Sequence, residues 1–162
     1  SMAFFRSVFD EVASDFPQIQ KDYAYVDALS MYLIQKPQFY DVLVAENMYG
    51  DIISDLAAGL IGGLGMAPSA DIGADVAVFQ PSHGTAPDIA NKGLANPIAM
   101  VLSVALMLRW LASRFNDHEA HASAVTIETA VKKVVSDSEM VTKDLGGQLS
   151  TAEFGDVLVG AL

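Results

Sequence analysis

ENMYGDIISDLAAGLIGGLGMAPSADIG, residues 46–73, is the stretch on which the reading of this chain turns. Asn47 is a residue type whose side-chain oxygen can accept an orphan backbone N–H, so a helix is expected to start there. Ile52, Ile53, Leu56, Ala57, Leu60, Ile61 and Leu64 then recur at the spacing of one helical face. Asp51 and Asp55 are four residues apart and therefore lie one above the other on that helix. Two like charges at this spacing cost a few tenths of a kcal/mol in a bare helix. A shared hard divalent cation would explain the pair, because carboxylate oxygens suit Mg²⁺ or Mn²⁺. The plain alternative is a solvated acidic face on an acidic protein. Gly59, Gly62, Gly63, Gly65, Pro68 and Gly73 then crowd the far end, where they end the helix and admit close backbone approach.

Over more than twenty positions, GDIISDLAAGLIGGLGMAPSADIG resembles the signature of the decarboxylating 2-hydroxy-acid dehydrogenases: the isocitrate, isopropylmalate, tartrate and D-malate dehydrogenases. A second stretch, QPSHGTAPDIANKGLANP at residues 80–97, carries no apolar periodicity and reads as a loop of the long, functional kind. It resembles the cofactor loop of the same family. The resemblance implies that His83, Gly84, Thr85, Ala86 and Pro87 form the wall for the adenosine half of NAD. Asp88 is implied to hydrogen-bond the adenosine ribose hydroxyls with Ile89 beside it, and Ala95 and Asn96 to meet the adenine. Neither stretch holds the GxGxxG of a Rossmann site. For the metal, the resemblance implies three aspartates, Asp51 and Asp55 from the helix and Asp27 from YVDALSMYL of a partner subunit. Without it, Asp27 reads as a helix N-cap.

The same resemblance implies an α/β fold, the C-terminal half of an isopropylmalate dehydrogenase-like architecture with helices packed on a mixed sheet. Residues 1–64 are expected to belong to the central, dimerising domain and 65–162 to the cofactor-binding domain, with the boundary at the glycine cluster. The catalytic base, the acid and the substrate-clamping arginines are expected upstream of residue 1, so no catalytic residue is assigned within the chain. Gln80 stands where many members carry Glu, Asn91 where Gly is usual, and Thr85 where Ser is common. The activity implied is NAD- and Mg²⁺- or Mn²⁺-dependent oxidative decarboxylation of an isopropylmalate-like 2-hydroxy acid by a homodimer. Tartrate, D-malate and isocitrate are alternative substrates. A non-catalytic dimerising or regulatory module of the same fold is the rival from another class.

Along the rest of the chain, residues 4–16 read as an amphipathic helix, 23–26 as a short strand and 27–37 as a helix. Residues 41–45 read as a buried strand and 76–79 as another short strand. Asn96 and Pro97 mark the start of an apolar helix. Its run of about a dozen residues before Arg109 is short of the ~20 needed to span a bilayer, so a core helix is expected. A further helix is expected at 117–136, and a last one capped by Thr151. Met31, Met100 and Met107 read as core filler.

With 162 residues, 52% of them hydrophobic, the chain can bury a core. A net charge of −11 argues against nucleic acid and against an anionic membrane surface as partners. There is no cysteine, which removes disulfides, thiolate metal sites and thiol nucleophiles and fits a cytoplasmic setting. His118-Glu119-Ala120-His121 misses the HExxH zinc spacing by one residue. Ser82-His83 lacks the GxSxG elbow of a serine nucleophile.

Overall fold

The computed structural model describes residues 2–162. Its contacts divide the chain into two units, one ending at Ala57 and the other running from Ala58 to Leu162. The division falls upstream of the glycine cluster.

The first unit holds α1 (Met2–Ala13), α2 (Val26–Gln35), a 3₁₀ turn at Pro37–Phe39 and the start of α3 (Asn47–Leu60). Helix α1 buries none of its residues, and Phe4, Val8 and Val12 remain exposed. Its polar side is anchored. Asp10 accepts from Lys21 Nζ at 2.5 Å and also from the Tyr23 hydroxyl, while Phe9 and Tyr23 meet edge to face at 6.0 Å. Those donors, Lys21 first, hold the Asp10 carboxyl below its usual range.

Neither strand expected in this unit forms. Residues 23–25 are irregular and Val26 already opens α2; residues 41–45 are irregular too, with Val42 and Val44 exposed. A strand needs a neighbour for its ladder of hydrogen bonds, and neither segment has one among the described residues. Two caps also differ from expectation. Helix α2 starts after Tyr25, and Asp27 sits in its first turn, accepting at 2.8 Å from the Ala28 N–H. At α3, Glu46 does the capping: its carboxylate accepts from Tyr49 N at 3.3 Å and its carbonyl from Gly50 N at 2.8 Å.

Helix α3 stops at Leu60, short of Leu64, because Gly62 and Gly63 take φ values of +112° and +110°. The Gly63 N–H returns to the Ala58 carbonyl at 2.8 Å and closes the end. The second unit then forms an antiparallel hairpin, β1 (Pro68–Ile72) and β2 (Ala77–Pro81), pairing Pro68 with Pro81 and Ile72 with Ala77. This pair is the sheet among the described residues, together with one parallel bridge between Thr142 and Leu149. Strand β1 falls in the segment after the glycine cluster, where no strand is expected from the sequence.

Helix α4 (Ile98–Phe115) packs against both strands and against α5 (His118–Val135). It is long and apolar enough by composition to cross a membrane, but here it is the core helix of its unit. It continues past Arg109 because that side chain is paired: Nε and Nη2 donate to the two Glu128 oxygens at 2.6 and 2.5 Å. Ser103 Oγ lies 2.8 Å from the carbonyls of both Gln80 and Ala99 and ties β2 to the helix. At the far end, Arg114 donates to Ala74 O at 2.6 Å and covers the Trp110 ring, which itself meets Phe79. Asp117 caps α5 by accepting from Glu119 and Ala120 N–H. The last helix, α6 (Thr151–Val159), is capped by Ser150 in a capping box with Glu153, and not by Thr151. Ile98, Ala130, Val131, Val134, Phe154 and Leu158 form the core between α4, α5 and α6. Met31 and Met100 are about half exposed and so are not core filler.

Candidate functional site

The acidic candidates lie in the first unit. Asp51 and Asp55 project from consecutive turns of α3, both exposed, and neither is in a salt bridge among the described residues. Asn47, freed from capping, donates its amide to Asp51 Oδ2 at 3.3 Å and steadies that carboxylate. Asp27 is exposed at the start of α2 and is not brought to the pair: among the described residues no group of three acidic or histidine side chains is placed to hold a metal. The pair supplies hard oxygen donors from one side only, which fits Mg²⁺ or Mn²⁺ if further oxygens complete the sphere. His118 and His121, in the first turn of α5, gather no third ligand either.

The second unit carries the loop. His83 is half-buried, with Nδ1 2.9 Å from the Gly84 carbonyl, so the tautomer protonated there donates to it. Gly84, Thr85, Ala86, Pro87 and Asp88 line an exposed run. Pro87 starts a single 3₁₀ turn (Pro87–Ile89), and Ala86 before it is left-handed at φ 42°, ψ 62°. A residue before proline is disfavoured in the right-handed helical region, and αL costs alanine about 1 kcal/mol. Strain of that kind collects at ligand sites. Asp88 presents an exposed carboxylate in the turn, with no salt-bridge partner among the described residues, and Ile89 is half-buried beside it. Asn91, the residue where glycine was expected, has φ 60°. After glycine, asparagine is the residue that best tolerates this conformation, so the departure keeps the turn.

The far end of the loop, where the adenine contacts are expected, is the most firmly held. Ala95 is exposed, whereas Asn96 is buried at 8% exposure with its amide fully used. Its Oδ1 accepts at 2.9 Å from the N–H of Ile98, the first residue of α4, while Pro97 between them takes the cap position expected of Asn96. Its Nδ2 donates to Asp144 Oδ2 at 2.9 Å and also approaches Met66 Sδ at 3.7 Å. Gly65 packs against this pair so closely that a Cβ there would lie 3.0 Å from Asn96 Cβ. Sequence reasoning missed Asp144 altogether, since nothing local marks an interaction 48 residues away. Gln80 turns its amide to Asp71 Oδ2 at 3.3 Å, across the hairpin.

Residues 1–158 match the family model described as isocitrate/isopropylmalate dehydrogenase, and the chain belongs to that family of dehydrogenases. It is 48% identical over 159 residues to a 3-isopropylmalate dehydrogenase of Archaeoglobus fulgidus, covering 98% of this chain and 46% of that protein. It is 45% identical over 162 residues to an isocitrate/homoisocitrate dehydrogenase of Thermus thermophilus, covering 100% of this chain and 46% of that one. Among solved structures, the isocitrate dehydrogenase of Methylococcus capsulatus superposes with a TM-score of 0.87 at 43% identity, over 98% of this chain and 45% of the other. The chain therefore spans under half the length of these relatives, and its fold is a part of theirs.

Proposed function

We propose that this chain supplies the dinucleotide site and two of three metal ligands to an NAD-dependent, Mg²⁺- or Mn²⁺-dependent dehydrogenase that oxidatively decarboxylates a 2-hydroxy acid. An isopropylmalate-like acid is the first choice of substrate, ahead of tartrate, D-malate and isocitrate. The observation that carries the reading is a set of exposed carboxylates, Asp27, Asp51, Asp55 and Asp88, outside any salt bridge among the described residues, in a chain that matches the dehydrogenase family.

Asp51 and Asp55 would hold the cation from one subunit and Asp27 from its partner, which makes the working enzyme a homodimer. When bound, the cation polarises the substrate oxygens and stabilises the charge that develops as CO₂ leaves. Asn47, which donates its amide to Asp51, would steady that carboxylate for the cation. Asp88 would accept from the two adenosine ribose hydroxyls, and His83 to Pro87 would wall the adenosine. Ala95 and Asn96 would present backbone to the adenine, the Asn96 side chain being already engaged. No Arg or Lys occupies position 88 or 89. A 2′-phosphate would therefore meet the Asp88 charge, which favours NAD over NADP.

The test is cofactor preference of the full-length protein. Asp88→Lys combined with Ile89→Tyr should move the kcat/KM ratio toward NADP. An unaltered ratio would show that Asp88 does not face the ribose.

A further inference from the structure

The loop expected to meet adenine is held from behind at two points, by the first residue of α6 and by the segment between α5 and α6. At the first, Thr151 donates its hydroxyl to the Ala95 carbonyl at 2.5 Å and its backbone N–H to the Gly93 carbonyl at 2.8 Å. Ser150 already fills the cap position of α6, so the Thr151 hydroxyl is not spent on its own helix. At the second, Asp144 accepts from Asn96 Nδ2 at 2.9 Å through one oxygen and from Thr142 Oγ1 at 2.5 Å through the other. Thr142 is fully buried, which makes it a fixed post, while Asp144 itself is exposed and keeps its charge solvated.

Residues 90–95 have little else to hold them. The run contains two left-handed residues, Asn91 at φ 60° and Gly93 at φ 64°, and no regular structure. Within it, Lys92 N bonds back to Ile89 O at 3.1 Å. The conformation of the adenine end is thus set by partners roughly fifty residues further along the chain.

We propose that Thr151 and Asp144 are positioning residues for the adenine end of the dinucleotide. They touch no cofactor; they hold Gly93 to Asn96 in the geometry that receives it. This rests on the reading of Ala95 and Asn96 as the adenine contacts. A site ordered before binding spends less free energy on ordering during binding, so the effect falls on dinucleotide affinity and not on the chemical step.

The test uses the full-length enzyme, with AMP as a competitive probe of the adenosine half. Thr151→Val, which keeps the shape and loses one hydrogen bond, should raise the KM for NAD about fivefold. Asp144→Asn, which leaves one neighbour without its carboxylate acceptor, should raise it by a similar factor. The inhibition constant of AMP should rise in step, while kcat and the KM for the 2-hydroxy acid stay within about twofold. Thr151→Ser should restore both constants. Glu128→Gln, remote from the loop, should lower thermal stability without moving the KM for NAD, which separates positioning from loss of fold. Asp88→Ala checks the underlying reading. If it raises the KM for NAD while Thr151→Val and Asp144→Asn match wild type in both NAD and AMP, the positioning role is overturned and the cofactor assignment stands. If Asp88→Ala has no effect, the loop is not the dinucleotide site and the inference falls with it. A uniform loss of kcat and of both KM values would also overturn it.

Discussion

Gly65→Ala probes the contact between the glycine turn and the Asn96–Asp144 pair. The added Cβ would stand 3.0 Å from Asn96 Cβ, 3.3 Å from Asp144 Oδ2 and 3.4 Å from Asn96 Cγ. Carbon atoms pack best at about 3.5–4.0 Å, so Asn96 must retreat by roughly half an ångström. It has little freedom to do so, because its amide is bonded at both ends to Ile98 and Asp144. Overpacking of this kind costs about 1–3 kcal/mol. Gly65 is not among the residues with left-handed φ, so alanine meets no backbone strain and recovers about 0.4–1 kcal/mol through a less flexible unfolded chain. The net expectation is a loss of about 1–2 kcal/mol. Urea unfolding of the full-length protein would read it as a lower midpoint at unchanged slope, accompanied by a higher KM for NAD. Stability equal to wild type with an unaltered KM would refute the claim that the turn is fitted against the Asn96–Asp144 pair.

Two further outcomes follow from the packing and the charges. Phe154 is wholly buried between α4, α5 and α6, and Phe154→Ala should cost about 3–5 kcal/mol, measurable in the same unfolding experiment. Arg109 holds the Glu128 carboxyl below its ordinary value of 4.5. A depressed carboxyl contributes stability that is complete above that value and is lost as pH falls through the folded one. The thermal midpoint of wild type should therefore fall more steeply than that of Glu128→Gln as the buffer is taken below about pH 4.5, and parallel curves would contradict the pairing.

Helices were the legible part of this fold, because apolar spacing survives whatever the chain packs against. The segments 23–26 and 41–45 have strand composition, but a strand exists only with a partner, and none is present among the described residues. The opposite error hides β1: Pro68-Ser69-Ala70-Asp71 has no apolar alternation, and its strand state comes from pairing with β2 and lying on α4. The cap of α6 was legible. Ser150 precedes Glu153 by three residues, the capping-box signature, and that signal outranks Thr151. For the candidate site, the carboxylates and the loop stand out as local motifs. The Asn96–Asp144 and Ala95–Thr151 contacts join residues 48 and 56 apart, and only the tertiary fold brings them together.

The central claim is that Asp51 and Asp55 are metal ligands, and calorimetric titration of the full-length protein with Mn²⁺ tests it most directly. Wild type should give a saturable isotherm near one ion per subunit. Asp51→Asn, which keeps the size and removes the charge, should abolish it while leaving the thermal midpoint in metal-free buffer within about 2 °C, as expected for an exposed site. Retention of the wild-type isotherm in Asp51→Asn would return the two aspartates to a solvated acidic face.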